Sequence, residues 1–254
     1  MIASLVGQTG LDGIEYIFVD DGSTDSSLEI LRRETVALRN VRIITQSNAG
    51  PSIATKVGVK AAGNPYVKLL DADDLLVCNA TEWLLACALE YDADIVIGKL
   101  GTYRVGEETA ASQTLVDGAR HLIHDPLMKV IMSGTANTSG TLFRREAFLA
   151  AGGCDESVFI QDFSFFLRMA ASGARLVVAD VTTGLIPEIA EKRVSSMTGQ
   201  ALHDMNRAIW NLVRTDRLGT SRYKIAAMRR AAGRTWKWSR RHRQGHQRFW
   251  YRQY

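Results

Sequence analysis

Five carboxylates stand where two apolar runs end. The stretch YVKLLDADDLL, residues 66–76, carries Asp71, Asp73 and Asp74 directly after its apolar half. The stretch IEYIFVDDGSTD, residues 14–25, delivers Asp20 and Asp21 in the same way. Like charges this close repel one another. A divalent cation is the simplest thing that makes such a cluster stable. Mg²⁺ and Mn²⁺ prefer oxygen ligands and often use one or two carboxylates together with substrate phosphates. The implied ligand is a metal bound to a phosphorylated molecule, with a nucleoside diphosphate as the fitting case. Single residues also have plainer explanations. Asp25 stands beside Ser23 and Thr24, and all three are good helix caps.

These carboxylates can act together only if the chain brings both runs to one edge. IEYIFV (14–19), VRIIT (41–45) and YVKLL (66–70) read as strands. STDSSLEILRRE (23–34), IATKVGVKAAG (53–63) and TEWLLACALEY (81–91) read as the helices between and after them. The alternation predicts an α/β fold with a mostly parallel central sheet and helices on both faces. Ligands of such sheets bind outside the carboxyl ends of the strands. If the strands carrying Asp20–Asp21 and Asp71–Asp74 are parallel neighbours, at least four carboxylates meet in one cleft. Further on, DIVIGKLGTYRV (94–105) reads as a strand pair, and ARHLIHDPLMKVIM (119–132) as helix on either side of Pro126. TSGTLFRREAFLAAGG (138–153) reads as a short strand running into a helix. In FIQDFSFFLRMAASG (159–173), Phe163, Phe166, Leu167, Ala170 and Ala171 mark an amphipathic helix that Gly173 ends. Asp162 sits at its start, where the helix dipole alone would favour a carboxylate. ARLVVAD (174–180) reads as another strand, and residues 200–254 as largely helical.

VDDGSTD at 19–25, followed by LDADD at 70–74, resembles the inverting family 2 glycosyltransferases of GT-A fold, of the bacterial surface-polysaccharide type. IASLVGQT resembles the helix before the first motif, and SNAGPSIATKVGVKAAGNPYVKLLDADDLL the segment through the DxD motif. SGTLFRREAFLAAGGCDESVFIQDFSFFLRMAASG resembles the acceptor-side segment, which usually carries a Glu-Asp pair before a helix. The resemblance implies a role for each matching residue. Asp21 would contact the base of the nucleotide, with Asp20 beside it. Asp71 and Asp73 would form the DxD pair near ribose and metal, and Asp73, helped by Asp74, would hold Mn²⁺ or Mg²⁺ on the diphosphate. Asp162 would be the catalytic base. An inverting displacement needs such a base for the acceptor hydroxyl, and a Lewis acid for the leaving diphosphate. Three departures stand out. Thr55-Lys56 replaces a frequent Arg-Asn, so Lys56 keeps a charge at the donor site without the guanidinium fork. Gln161 stands where Glu is usual. The family opens with a strand ending in a Pro-x-Tyr-Asn-like turn, whereas Met1 lies in the helix that follows it. The expectation is an incomplete N-terminus that leaves sheet edges unpaired.

Composition divides the chain in two. With 46% hydrophobic residues in 254, the chain can bury a substantial core. No Asp or Glu follows Asp216, and residues 217–254 hold 12 of the 31 Lys and Arg, so residues 1–216 carry a net charge of −8. The reading is a GT-A-like catalytic and nucleotide-sugar-binding domain at 1–195 and a helical, basic, aromatic region at 196–254. RTWKWSRRHRQGHQRFWYRQY at the end suits an anionic membrane surface, a nucleic acid, or a solvated or oligomer-packing tail. No RNA or DNA motif supports nucleic acid, and the amphipathic C-terminal region permits a homodimer. His242 and His246 are four apart, but no further ligand makes them a zinc site. Cys78, Cys87 and Cys154 form no CxxC and read as reduced thiols. The N-terminus lacks a secretory signal, and no apolar run reaches the roughly 18 to 20 residues of a membrane span. The expected place is the cytoplasm, or the inner face of the cell membrane as a peripheral protein. The expected partners are a nucleotide-sugar donor, UDP-linked, and the hydroxyl of a glycan or lipid-linked glycan. The rivals are a non-catalytic binding protein on the same fold and a nucleotidyltransferase, which should show a Gly-rich signature near its start.

Overall fold

The computed structural model describes residues 1–8, 12–104, 106, 115–134, 137–188 and 198–241. The elements run α1 (Ile2–Val6), β1 (Tyr16–Asp20), α2 (Ser27–Glu34), β2 (Val41–Thr45), α3 (Pro51–Ala61), β3 (Tyr66–Lys68), β4 (Leu75–Leu76), α4 (Ala80–Glu90) and β5 (Ile95–Tyr103). They continue β6 (Arg120–Ile123), α5 (Pro126–Ser133), β7 (Thr141–Arg144), α6 (Arg145–Ala150), α7 (Gln161–Ala171), β8 (Leu176–Pro187), α8 (Thr198–Arg214) and α9 (Ser221–Arg241). Local chemistry explains several boundaries. Pro51 opens α3, where its missing N–H has no partner to lose. Asp125 caps α5, its Oδ1 accepting from the Met128 N–H at 3.0 Å, and Gly134 ends that helix in the left-handed region at φ 62°.

β1 and β2 pair in parallel as one sheet, and a second sheet runs β3-β7-β5-β8-β4, with β6 also on β8. The α/β architecture is the expected one, but the sheet is mixed rather than mostly parallel. β5 and β8 are parallel, while β3/β7, β5/β7, β4/β8 and β6/β8 are antiparallel. Alternation of helices and strands constrains chain order, not neighbours, and β7 inserts between β3 and β5 running against both. β1 and β3 each keep an unpaired edge among the described residues. Their starts are tied together, since Glu15 Oε1 accepts from the N–H groups of Gly63 (3.0 Å) and Asn64 (2.8 Å).

Two local expectations are corrected. Ile95–Tyr103 form one strand, β5, rather than a strand pair, and it follows β8 through register shifts around Lys99. Gly98 marks a close approach rather than a turn, because a Cβ there would collide with Thr183 of β8. Residues 120–123 are a strand rather than helix. The residue before a proline is kept out of the α region, and Asp125 stands at φ −129°, ψ 78°. The helix therefore starts at Pro126, and the segment before it pairs with β8.

Strand alternation shows that both faces are covered. Ile95, Ile97, Phe143 and Leu176 enter a core with α5, α6 and α7, and Val96, Leu142 and Val177 enter another beneath α4. The larger core holds a run of rings: Phe165 lies 5.2 Å from Phe143 and 4.4 Å from Phe166. Ala208, Ile209 and Leu212 of α8, Leu218, and Ala227 of α9 belong to this same core. The end of the chain from 242 onward, with His242 and His246, lies outside the described residues.

Candidate active site

The chain leaves β3 at Lys68 and turns back into β4 through the acidic run. Asp74 N–H donates to Asp71 O at 3.1 Å and closes the turn. The Asp71 N–H donates to Ser139 Oγ at 3.0 Å, which ties this turn to the loop before β7. Tyr103 of β5 donates its hydroxyl to Asp73 O at 3.0 Å. The result presents Asp73 outward and buries Asp74, which is 3% exposed.

Burial first, and then the charges of Asp74, Asp162 and Asp73, push the Asp71 carboxyl up to about 6. Lys68 opposes them. Carboxylates from two parts of the chain, the acidic turn and the start of α7, thus bear on Asp71. Lys68 is the countercharge built into the fold. Its ammonium donates to Leu69 O at 2.8 Å and to Ser139 O, and burial brings it down to about 7 against the pull of Asp71 and Asp74. Sequence reasoning missed it. The available signal was a lysine inside the apolar run YVKLL, directly before three acids.

Asp162 is the second residue of α7, and its Oδ1 accepts the N–H of Phe163 at 2.6 Å. Burial nevertheless holds its carboxyl above the ordinary range. A carboxylate in that state is a stronger base than one in water.

Asp20 ends β1, and Asp21 follows it. Neither Asp20 nor Asp21 is among the charges that act on Asp71. The reason is the sheet, in which β1 and β3 are not paired neighbours. The charge that reaches Asp71 from a distant part of the chain is that of Asp162, on α7. Asp21 Oδ1 accepts from Gln46 Nε2 (2.7 Å) and Ala49 N (2.9 Å), and its Oδ2 from Gly50 N (2.8 Å). Those bonds outweigh its slight burial and hold it below the ordinary range, while it fixes the turn that leads into α3. Lys56 of α3 pairs with Glu156 in the loop before α7.

Among the described residues no group of three or more His, Cys, Asp or Glu is placed to hold a metal by itself. The donor set nonetheless fits a hard cation that arrives on its substrate. Asp73 is exposed at the turn, Asp74 follows it, and the negative charge that crowds Asp71 exceeds what Lys68 offsets. A cation bringing phosphate oxygens needs only one or two protein carboxylates.

Residues 1–170 match the sequence family described as Glycosyl transferase family 2. The glycosyltransferase YibD of Escherichia coli (strain K12) is 40% identical over 92 residues, which is 36% of this chain and only 26% of that protein's own length. The crystal structure of Staphylococcus aureus TarS residues 1–349 in complex with UDP-GlcNAc superposes with a TM-score of 0.69 at 18% identity, over 95% of this chain and 69% of that one. The mannosyltransferase PcManGT of Pyrobaculum calidifontis, in complex with GDP-Man and Mn²⁺, superposes with a TM-score of 0.60 at 15% identity, over 94% and 70%. At these identities the two structures bear on the fold alone.

Proposed function

Because the chain belongs to glycosyl transferase family 2, we propose that it transfers a sugar, with inversion, from a nucleotide-sugar to a hydroxyl of a glycan or lipid-linked glycan. One observation carries this reading: Asp162, with its basicity raised by burial, acts electrostatically on Asp71 of the acidic turn. This supports a cleft in which a base works beside a diphosphate-binding edge. In the step itself the acceptor oxygen bonds to the anomeric carbon as its proton passes to Asp162 Oδ2, because Oδ1 already accepts the Phe163 N–H. The bond from that carbon to the diphosphate oxygen breaks, and its electron pair leaves with the nucleotide. Asp73, helped by Asp74, would hold Mn²⁺ or Mg²⁺, which when bound supplies Lewis-acid stabilisation of the leaving diphosphate. Asp71 sits beside the ribose, and Asp20 and Asp21 at the base, with Asp21 acting through the 46–50 turn that it holds. Lys56 supports the donor side from its pair with Glu156. UDP is the proposed nucleotide, in keeping with the UDP-GlcNAc that the TarS fragment binds. The test is release of nucleoside diphosphate from UDP- and GDP-sugars with Mn²⁺, with and without glycan acceptors. Manganese-dependent release by one donor is expected. Binding without release or transfer would make the protein a non-catalytic binder.

The proposed setting is the cytoplasmic face of a membrane. No helix among the described residues is long and apolar enough to cross one. On α9, Ile225, Met228 and Trp236 are exposed, Trp236 by 58%, and the Arg240 guanidinium lies 4.8 Å over the Trp236 ring. Aromatic rings beside arginines suit an anionic headgroup layer. Trp236→Ala is expected to weaken binding to phosphatidylglycerol vesicles roughly tenfold, about 1 to 2 kcal/mol of lost apolar burial. Sedimentation with vesicles measures this, and unchanged binding would remove the membrane from the account.

A further inference from the structure

The inner face of α9 carries charge where a packed helix normally carries hydrocarbon. Tyr223, Ala227, Arg230 and Arg234 recur at three- and four-residue spacing, so they share one face. Ala227 is fully buried within the main core, and Arg234 is only 7% exposed. The cations at the start of α9 have acids: Arg222 pairs with Asp125, and Lys224 with Asp216. Arg230 and Arg234 have no ion pair among the described residues. Their buried Arg230 Nε and Arg234 Nη1 and Nη2 also lack any hydrogen-bond partner there. Burial, with Arg230 beside it, lowers the Arg234 guanidinium to about 10. An uncompensated buried cation is costly, and a fold that keeps one calls for an anion.

The position says which anion. The Arg234 guanidinium lies 5.2 Å over the ring of Phe163, the residue after Asp162. On its other side is Gly134, where a Cβ would stand 3.2 Å from Nη2. From Gly134 the chain leads to Ser139, the residue that binds the Asp71 N–H. Arg234 therefore touches the residue after the base and the end of α5, and Arg230 stands one helical turn before it. Guanidinium forks one helical turn apart match the oxygens of a phosphoryl group, which accepts them bidentately. We propose that Arg230 and Arg234 form a binding site for a phosphoryl group carried by the acceptor, held so that the acceptor hydroxyl reaches Asp162. This rests on the transfer reaction proposed above. A guanidinium held only by the α5 dipole would need no such ligand.

The test uses the whole chain in metal-free, phosphate-free buffer, with inorganic phosphate as the probe and chloride at equal ionic strength as the control. Phosphate near ten times its Kd is expected to raise the wild-type melting temperature by ~3 to 5 °C. Arg234→Met should abolish that shift and Arg234→Lys should keep part of it. Phosphate that leaves wild type unmoved, or that moves wild type and Arg234→Met alike, overturns the proposal. Should Arg234→Met not fold, Arg230→Met, at a less buried position, carries the same comparison. A second arm separates sources of the phosphoryl group. A shift with octyl phosphate but not octanol, lost in Arg234→Met while phosphatidylglycerol vesicles still bind, supports a phosphorylated acceptor. Loss of vesicle binding in Arg234→Met would assign the site to membrane headgroups and overturn the acceptor form. A third arm adds UDP or GDP with Mn²⁺, whose shift should persist in Arg234→Met. If wild type responds to phosphate but to no nucleotide, the transfer reading fails and the anion site stands; the reverse removes the anion site alone.

Discussion

Asp162→Asn is expected to lower kcat by about 10²- to 10⁴-fold, the usual contribution of a general base, and to leave the protein folded and more stable. The amide keeps the shape and can still accept the Phe163 N–H, but it cannot take the acceptor proton. The stability effect follows from the direction of the pKa shift. Burial holds the folded-state carboxyl above its ordinary value of 3.8, so folding favours the protonated form. That favourable contribution is complete below the unfolded pKa and is lost as pH rises through the folded one. At neutral pH the ionised side chain therefore destabilises the fold, and Asn removes the penalty. Melting curves should place the variant above wild type at pH 7, with the gap closing in acid. The same shift predicts that the acid limb of the wild-type kcat profile lies above the range of a solvated Asp, since only the ionised base works. Donor binding should survive. A variant with kcat within a few-fold of wild type would remove Asp162 from the chemistry, whatever its stability.

Asp73→Asn should erase the effect of metal on donor binding. In wild type, a matching nucleotide at a hundred times its Kd adds ~2.7 kcal/mol to stability. In a domain of this size that is a rise of about 5 to 10 °C. The rise should need Mn²⁺ and disappear with a chelator. In Asp73→Asn the response with Mn²⁺ should fall to that of nucleotide alone. Without ligands the variant should melt no lower than wild type, because the substitution removes one of the charges that crowd Asp71. This pairing of lost binding with retained stability separates a ligand carboxylate from a structural one. A full manganese-dependent shift in Asp73→Asn would move the metal elsewhere. Failure of every nucleotide to shift a cooperatively melting wild type would sink the active-enzyme reading of this chain.

Much of this architecture was legible locally. VRIIT became β2 without adjustment, and the phenylalanine spacing of 159–173 became α7 with its apolar side in the core. The acidic turn was legible because three carboxylates in four positions need an outside partner, whatever the fold. Elements at the mercy of a neighbour were misread. The segment 94–105 read as a strand pair, whereas Ile95–Tyr103 is one strand and Gly98 is the point where β5 and β8 come together. Arg120–Ile123 has no strong period of its own and took its conformation from the free edge of β8.

Sequence alone determined most of the elements in the first ninety or so residues, the α/β class, the acidic turn, and the split between an acidic body and a basic end. Each is a property of neighbouring residues: side-chain periodicity, caps, and charges that cannot be far apart. Tertiary structure decided which carboxylates meet. Asp20 and Asp21 were expected beside Asp71, but among the described residues β1 and β3 belong to different sheets, and the distant carboxylate whose charge acts on Asp71 is Asp162. It also decided that the Lys68 ammonium is buried on the Leu69 and Ser139 carbonyls within the field of Asp71 and Asp74, and that Arg230 and Arg234 have no acid partner among the described residues. Charge pairing over a hundred residues of chain depends on which surfaces pack together. That follows from the core as a whole, and no short stretch of sequence carries it.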